Sequence, residues 1–180
     1  MSSKQVQDAY IVAATRTPIG KSGRGFFRNT RPDDLLVAAV RSALANLRRK
    51  IEAATATITV DQLPRVMANP HLLALLFQNL ISNAVKFRSE NRQVTIRISA
   101  VESEREVTFA VADNGIGMAE EHFARAFQLF QRLNPAEQYS GAGIGLATCK
   151  KIVEHHDGRI WIESRLDVGT TFFFSLPRSS

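Results

Sequence analysis

The sequence predicts an α/β domain with helices on one face of a mixed sheet, a two-layer α/β sandwich, running from about Ala43 to the C-terminus behind an N-terminal appendage. Two patterns carry that expectation. Val94, Ile96 and Ile98, and then Val107, Phe109 and Val111, alternate with mostly polar or small residues, as strands with one buried face do. Leu73, Leu76, Phe77, Leu80, Ala84 and Phe87 recur at i, i+3, i+4, i+7 spacing, which predicts a helix over 71–87.

The remaining elements follow in order. Thr57 to Val60 is a short strand closed by Asp61-Gln-Leu-Pro64, and residues 102–106 form a hairpin turn between the two alternating strands. A helix from Ile144 to His155 leads to two last strands, Arg159 to Glu163 and Thr171 to Leu176. Upstream, Thr30 can cap a helix that has Pro32 at its start and Asp33 and Asp34 in its first turn. Its stripe of Leu36, Val40, Leu44, Leu47 and Ile51 either packs on the domain or pairs with a second chain, giving a homodimer through helix 32–53.

Composition limits the function classes. The 180 residues, 44% hydrophobic, suffice for one sizeable core with an appendage. No apolar run approaches the ~18 residues of a membrane span, and the first residues lack a signal-peptide core, so a cytoplasmic protein is expected. One cysteine, Cys149, excludes an intramolecular disulfide and a cysteine zinc cage. The net charge of +6 is uneven: residues 1–50 hold ten Lys+Arg against three acids, and the remainder thirteen against fourteen. The basic arm carries no helix-turn-helix or RNA-binding motif, so no nucleic-acid partner is expected. Gly20-Lys21-Ser22 imitates the end of a phosphate-binding loop, but Thr15 stands where its first glycine is required.

Three glycine- and asparagine-bearing segments in order point to a nucleotide. Asn79, Asn83 and Lys86 fall in one polar sector beside the apolar face of the 71–87 helix, at about 100° per residue. Asp113-Asn-Gly-Ile-Gly117 follows a strand; a carboxylate there can accept from the exocyclic amine of adenine, and Gly115 and Gly117 let the chain turn against a base. Gly141, Gly143 and Gly145 lead into a helix whose free N–H groups can hold phosphates. Taken singly, each has a bland reading: a solvated helix edge, an Asp-Asn-Gly turn, a loop.

Together these motifs resemble the ATP-binding catalytic domain of sensor histidine kinases, and the run from Ile144 to Ser164 resembles the phytochrome-type members. The resemblance implies a Bergerat-type ATP-binding fold over 45–180. It implies Asn83 as the Mg2+ ligand, Lys86 facing the phosphates, Asp113 on adenine, and a mobile lid over Met118 to Ser140 anchored by Phe127 and Phe130. Arg132 approaches the phosphates, and Asn79, Ile144, Leu146 and Thr171, the last in a terminal Gly169-Thr-Thr box, complete the ATP-binding set. Residues 1–44 resemble the N-terminus of a thiolase without its nucleophile or bases, which implies a chimera with no thiolase chemistry.

None of the four histidines, His71, His122, His155 and His156, lies in the family's phosphoacceptor helix. His71 reads as a capping or surface residue, and His155 and His156 as C-terminal cations or solvated side chains. The expected activity is therefore a half-kinase that binds ATP and Mg2+ and phosphorylates a histidine on a separate phosphotransfer domain, with a response regulator downstream. The alternative is a catalytically silent, engineered nucleotide-binding module. A related ATP-driven hydrolase is disfavoured because Asn79 stands where that class needs a basic glutamate.

Overall fold

The computed structural model describes residues 32–131 and 143–178. Its five strands are β1 (Thr57–Val60), β2 (Thr95–Glu102), β3 (Glu106–Asp113), β4 (Arg159–Arg165) and β5 (Gly169–Pro177), in the order β1-β2-β3-β5-β4. β1 pairs parallel with β2 and every other pair is antiparallel, so the sheet is mixed as expected.

The inner face of this sheet is set by strand parity. Val107, Phe109 and Val111 on β3 stand opposite Leu176, Phe174 and Phe172 on β5, and all six are buried. Phe109 stacks on Phe174 at 4.8 Å, and Phe77 meets both rings edge-on, at 6.4 and 5.6 Å. Phe77 belongs to α2 (Pro70–Lys86), which lies directly on the sheet and buries Leu73, Leu76, Leu80, Ile81, Ala84 and Val85 as well. Removing one such ring costs about 3–5 kcal/mol.

Two helices flank α2 on the same side. The amphipathic α1 (Pro32–Ala53) buries Leu36, Ala39, Val40, Ala43, Leu47 and Ile51, and its apolar stripe joins the domain core. Asn46 donates to Gln78 and Lys50 to Ser82 along the α1–α2 seam. The helix runs unbroken through residue 44, where the composition shifts. On the other flank, α4 (Gly145–His155) buries Ala147, Cys149, Ile152 and Val153, and burial pushes the Cys149 thiol up to about 12. That thiol is an inert core group.

The ends of α2 and α4 are tied together. Asn69 caps α2, its Oδ1 accepting from His71 N at 3.0 Å and Leu72 N at 3.3 Å, with Pro70 at the first position. The cap is thus Asn69, and His71 is an exposed residue behind it. Asn69 N also donates to His156 Nε2 at 3.0 Å, while His156 Nδ1 lies 2.7 Å from the Ile152 carbonyl. An acceptor Nε2 and a donor Nδ1 make this imidazole neutral. His156 is a linking residue, neither the C-terminal cation nor the solvated side chain expected of it, and of these two histidines His155 alone is exposed. Among the described residues no helix is long and apolar enough to cross a membrane.

Candidate functional site

The sequence-predicted residues gather where the C-terminal half of α2, the end of β3 and the start of α4 meet. Asn79, Asn83 and Lys86 are half-buried on α2 beside its core face. Neither asparagine side chain hydrogen-bonds to any described residue. Lys86 Nζ lies 4.5 Å above the Phe87 ring.

The loop after β3 is built onto the end of α2. Ile116 N donates to the Phe87 carbonyl at 2.9 Å, and a Cβ at position 115 would collide with that same oxygen. Gly117 has φ +71°, and a Cβ there would strike the Arg165 carbonyl in the β4–β5 turn. Only glycine meets both demands. Arg92 Nη2 holds the Gly115 carbonyl at 3.0 Å. Asn114 accepts from Thr95 N at 2.9 Å and donates to the Gln93 carbonyl at 2.8 Å, and Asp167 N holds the Ile116 carbonyl at 2.8 Å. The loop is therefore fastened to α2, β2 and the β4–β5 turn at once. Arg92 and Asn114 were not singled out in the sequence, since side chains that fasten a loop carry no motif of their own.

Asp113 ends β3 on the inner, helix-facing side. Its Oδ1 accepts from Gly115 N at 2.8 Å and Thr170 N at 3.3 Å, and no described residue donates to Oδ2. Burial pushes this carboxyl up from 3.8 to about 6, and the two backbone donors hold it partly back. A half-buried carboxylate with one open oxygen suits a ligand that brings a hydrogen-bond donor.

Thr171 does not join this group. It pairs with Ala112, which puts its side chain on the outer face of the sheet, whereas Thr170 pairs with Asp113 and shares the inner face. Counting back by twos from Leu176, Phe174 and Phe172 identifies Thr170 in the sequence.

The segment after Gly117 forms a 3-10 turn (Glu120–His122) and a single helical turn, α3 (Phe123–Ala126). Phe127 packs against the core as expected, but its partner is Phe123, and Phe130 is 71% exposed with φ +60°. The helical turn ends at Ala126, so spacing extrapolated to Phe130 fails, and Phe123–Phe127 is the i, i+4 pair that anchors. Phe130 N donates to the Gly143 carbonyl at 3.0 Å, joining the two stems of the segment. Arg132 and Gly141 lie outside the described residues.

At the far stem, Ile144 precedes α4 and its carbonyl accepts from Thr148 N and Oγ1 at 2.9 and 3.0 Å. No side chain caps α4. A Cβ on Gly145 would sit 3.3 Å from Asn79 Oδ1, so the uncapped helix start abuts the asparagine helix. Leu146 packs half-buried behind it. Helix-start N–H groups, two amides and a lysine on one side, and a carboxylate whose Oδ2 has no donor among the described residues on the other, match the two ends of a nucleotide.

The family profile described as "Histidine kinase-, DNA gyrase B-, and HSP90-like ATPase" matches residues 68–180. The chain belongs to this family. Cyanobacterial phytochrome A of Nostoc sp. is 52% identical over 139 residues, covering 77% of this chain and 18% of that protein. Phytochrome-like protein Cph1 of Synechocystis sp. is 47% identical over 138 residues, with the same two coverages of 77% and 18%. The chain thus spans less than a fifth of the length of these relatives. The catalytic domain of histidine kinase ThkA has the same fold, with TM-score 0.67 and 26% identity over 81% of this chain and 95% of that domain.

The protein is accordingly an ATP-binding domain of histidine kinase type with the Bergerat-type fold, and the phytochrome-type resemblance is supported. None of these similarities is to a thiolase. The thiolase-like reading of residues 1–44 falls largely outside the described residues, and residues 36–44 contribute buried side chains to the kinase-type core.

Proposed function

We propose that this chain is the MgATP-binding catalytic domain of a sensor histidine kinase, donating the γ-phosphate to a histidine supplied by a separate phosphotransfer domain. The observation that carries this reading is the approach of Asn79, whose side chain no described residue engages, to Gly145 at the start of α4, on the helix that also carries Asn83, together with Oδ2 of Asp113, to which no described residue donates.

In this reading Asp113 accepts from the adenine amine, Lys86 neutralises phosphate charge, and the N–H groups at Gly145 and Leu146 donate to phosphate oxygens. Asn83, whose amide oxygen no described residue engages, fits a hard cation, and it would hold Mg2+ together with the phosphates. Bound Mg2+ supplies charge neutralisation at the phosphates. Asn79, a neutral amide abutting Gly145, orients groups there and cannot serve as a general base, so intrinsic hydrolysis should be slow. A response regulator would act downstream; a solved complex of histidine kinase ThkA contains response regulator protein TrrA. Residues 1–44, if thiolase-derived, contribute no chemistry.

The test is to incubate the protein with labelled ATP and Mg2+, with and without an isolated phosphoacceptor domain of a phytochrome-type kinase. Acid-labile label should appear on the acceptor alone. Brisk turnover without acceptor, or stable label on this chain, contradicts the proposal. ATP binding with no transfer to any acceptor would favour the silent nucleotide-binding module.

A further inference from the structure

α2 and α4 touch at three levels along their length. The start of α4 at Gly145 abuts Asn79, Cys149 Sγ lies 3.9 Å from the Leu76 carbonyl, and His156, just past the last turn, accepts from Asn69 N at 3.0 Å. Residue numbers rise along α4 as they fall along α2, so the two helices run antiparallel. From Gly145 to His156 α4 measures about 16 Å, and from Asn79 back to Asn69 α2 measures about 15 Å. The phosphate-facing end and the His156 end are thus opposite ends of one helix pair.

The contacts differ in how firmly they set the position of α4 along α2. Ala147, Cys149, Ile152 and Val153 are buried apolar or weakly polar groups, whose attraction has little direction. A hydrogen bond weakens steeply with misalignment. The Ile152 carbonyl holds His156 Nδ1 at 2.7 Å and so orients the ring on α4, and Nε2 then meets Asn69 N at one setting of α4. Gly158, where a Cβ would strike the Ser175 carbonyl, ties the same end to β5 instead of α2. A slide of α4 would carry the N–H groups at Gly145 and Leu146 past the amides of Asn79 and Asn83.

We propose that His156 is a positioning residue for the phosphate end of the site: from one helix length away it fixes the setting of α4 along α2, and with it the spacing between the helix-start N–H groups and the α2 amides. The inference rests on the MgATP reading above. The base end stands on β3 and β5 and does not depend on this setting, so loss of the bond should be felt by the phosphates alone.

Titrations of MgATP and of adenosine into the parent, H156A, H156F and H156Q test this. H156A should weaken MgATP by roughly 2- to 5-fold, the population shift that one neutral hydrogen bond can make, and leave adenosine unchanged. H156F fills the space without an acceptor and should behave as H156A does. H156Q, whose Oε1 can accept from Asn69 N, should recover most of the parent MgATP affinity. Should H156A fail to fold by circular dichroism, H156F and H156Q carry the comparison between them. Parent-like MgATP affinity in folded H156A or H156F, an equal loss for MgATP and adenosine, or no recovery in H156Q overturns the role of His156 while leaving the nucleotide site standing. A parent that binds MgATP no better than adenosine overturns the phosphate assignment, and this inference with it.

Discussion

The two ends of the site are built differently. Around Asp113, Gly115 and Ile116 nearly every polar group already has a partner: Arg92, Asn114, Thr170 and Asp167 each fasten a backbone group or the carboxylate. Around Gly145, no described side chain caps the helix or hydrogen-bonds to the Asn79 and Asn83 side chains, and exposed Ile144 and Phe130 flank the stems. Among the described residues, the base end is held by many contacts of its own and the phosphate end by few. Substitutions should therefore separate into those that lower the stability of the empty protein and those that alter only nucleotide binding.

The largest stability effect is expected at Gly117. Alanine there must hold φ +71° and push its Cβ into the Arg165 carbonyl. Backbone strain alone costs about 1–3 kcal/mol, and the collision adds to it. Denaturant unfolding of G117A should show a lower midpoint without nucleotide, and ATP should restore part of it by mass action. An unshifted midpoint would mean that the loop is not fastened as described.

Asp113 makes the comparison sharper because its two effects have opposite signs. Its folded carboxyl titrates near 6 against 3.8 when free, so the folded state binds the proton more tightly. Stability from this group alone is greatest below about 4 and falls as pH rises to about 6, by at most about 3 kcal/mol. ATP needs the ionised form to accept the amine, so affinity should fall as pH drops through about 6. D113N should flatten both profiles, leave the midpoint at pH 7 unchanged or raised, and weaken ATP by roughly 10- to 100-fold, as loss of a hydrogen bond to a charged group does. Parallel pH profiles for stability and affinity would break this account.

Arg92 tests the fastening from outside the site. R92A leaves the Gly115 carbonyl without its side-chain donor, and a loss of roughly 3- to 10-fold in ATP affinity is expected by calorimetry, with a small drop in midpoint. The comparison would be weakened if the stability loss exceeded that of G117A.

Much of this was legible in the sequence because strand and helix periods are local. The 71–87 helix, the hairpin at 102–106 and the glycine turn after Asp113 each follow from residues within one element of one another. Thr171 was misplaced because a Gly-Thr-Thr match names the pattern but not the face, which strand parity settles in favour of Thr170. Phe130 was misplaced because apolar spacing does not show where a helical turn stops. The neutral bridge of His156 to Asn69, 87 residues away, and the Ser164–Thr170 contact at 2.9 Å depend on register between strands and helices, which no local period encodes.

The smallest effect is expected at Gly145, where the same substitution as at Gly117 should leave the opposite signature. No left-handed backbone is required at this position, and alanine in place of glycine near a helix start gains up to about 1 kcal/mol of helix propensity. Among the described residues the added Cβ meets the Asn79 side chain alone, at 3.3 Å, which can turn aside by a few tenths of an ångström. The midpoint of G145A without nucleotide should therefore hold or rise slightly. Nucleotide binding should still weaken a few-fold, because the methyl group crowds the N–H groups that a phosphate must approach. The ATP-induced rise in midpoint reads this directly: it should be smaller than in the parent for G145A, with an unchanged apo value beneath it. A fall in the apo midpoint as deep as that of G117A would show that the phosphate end is as tightly built as the base end.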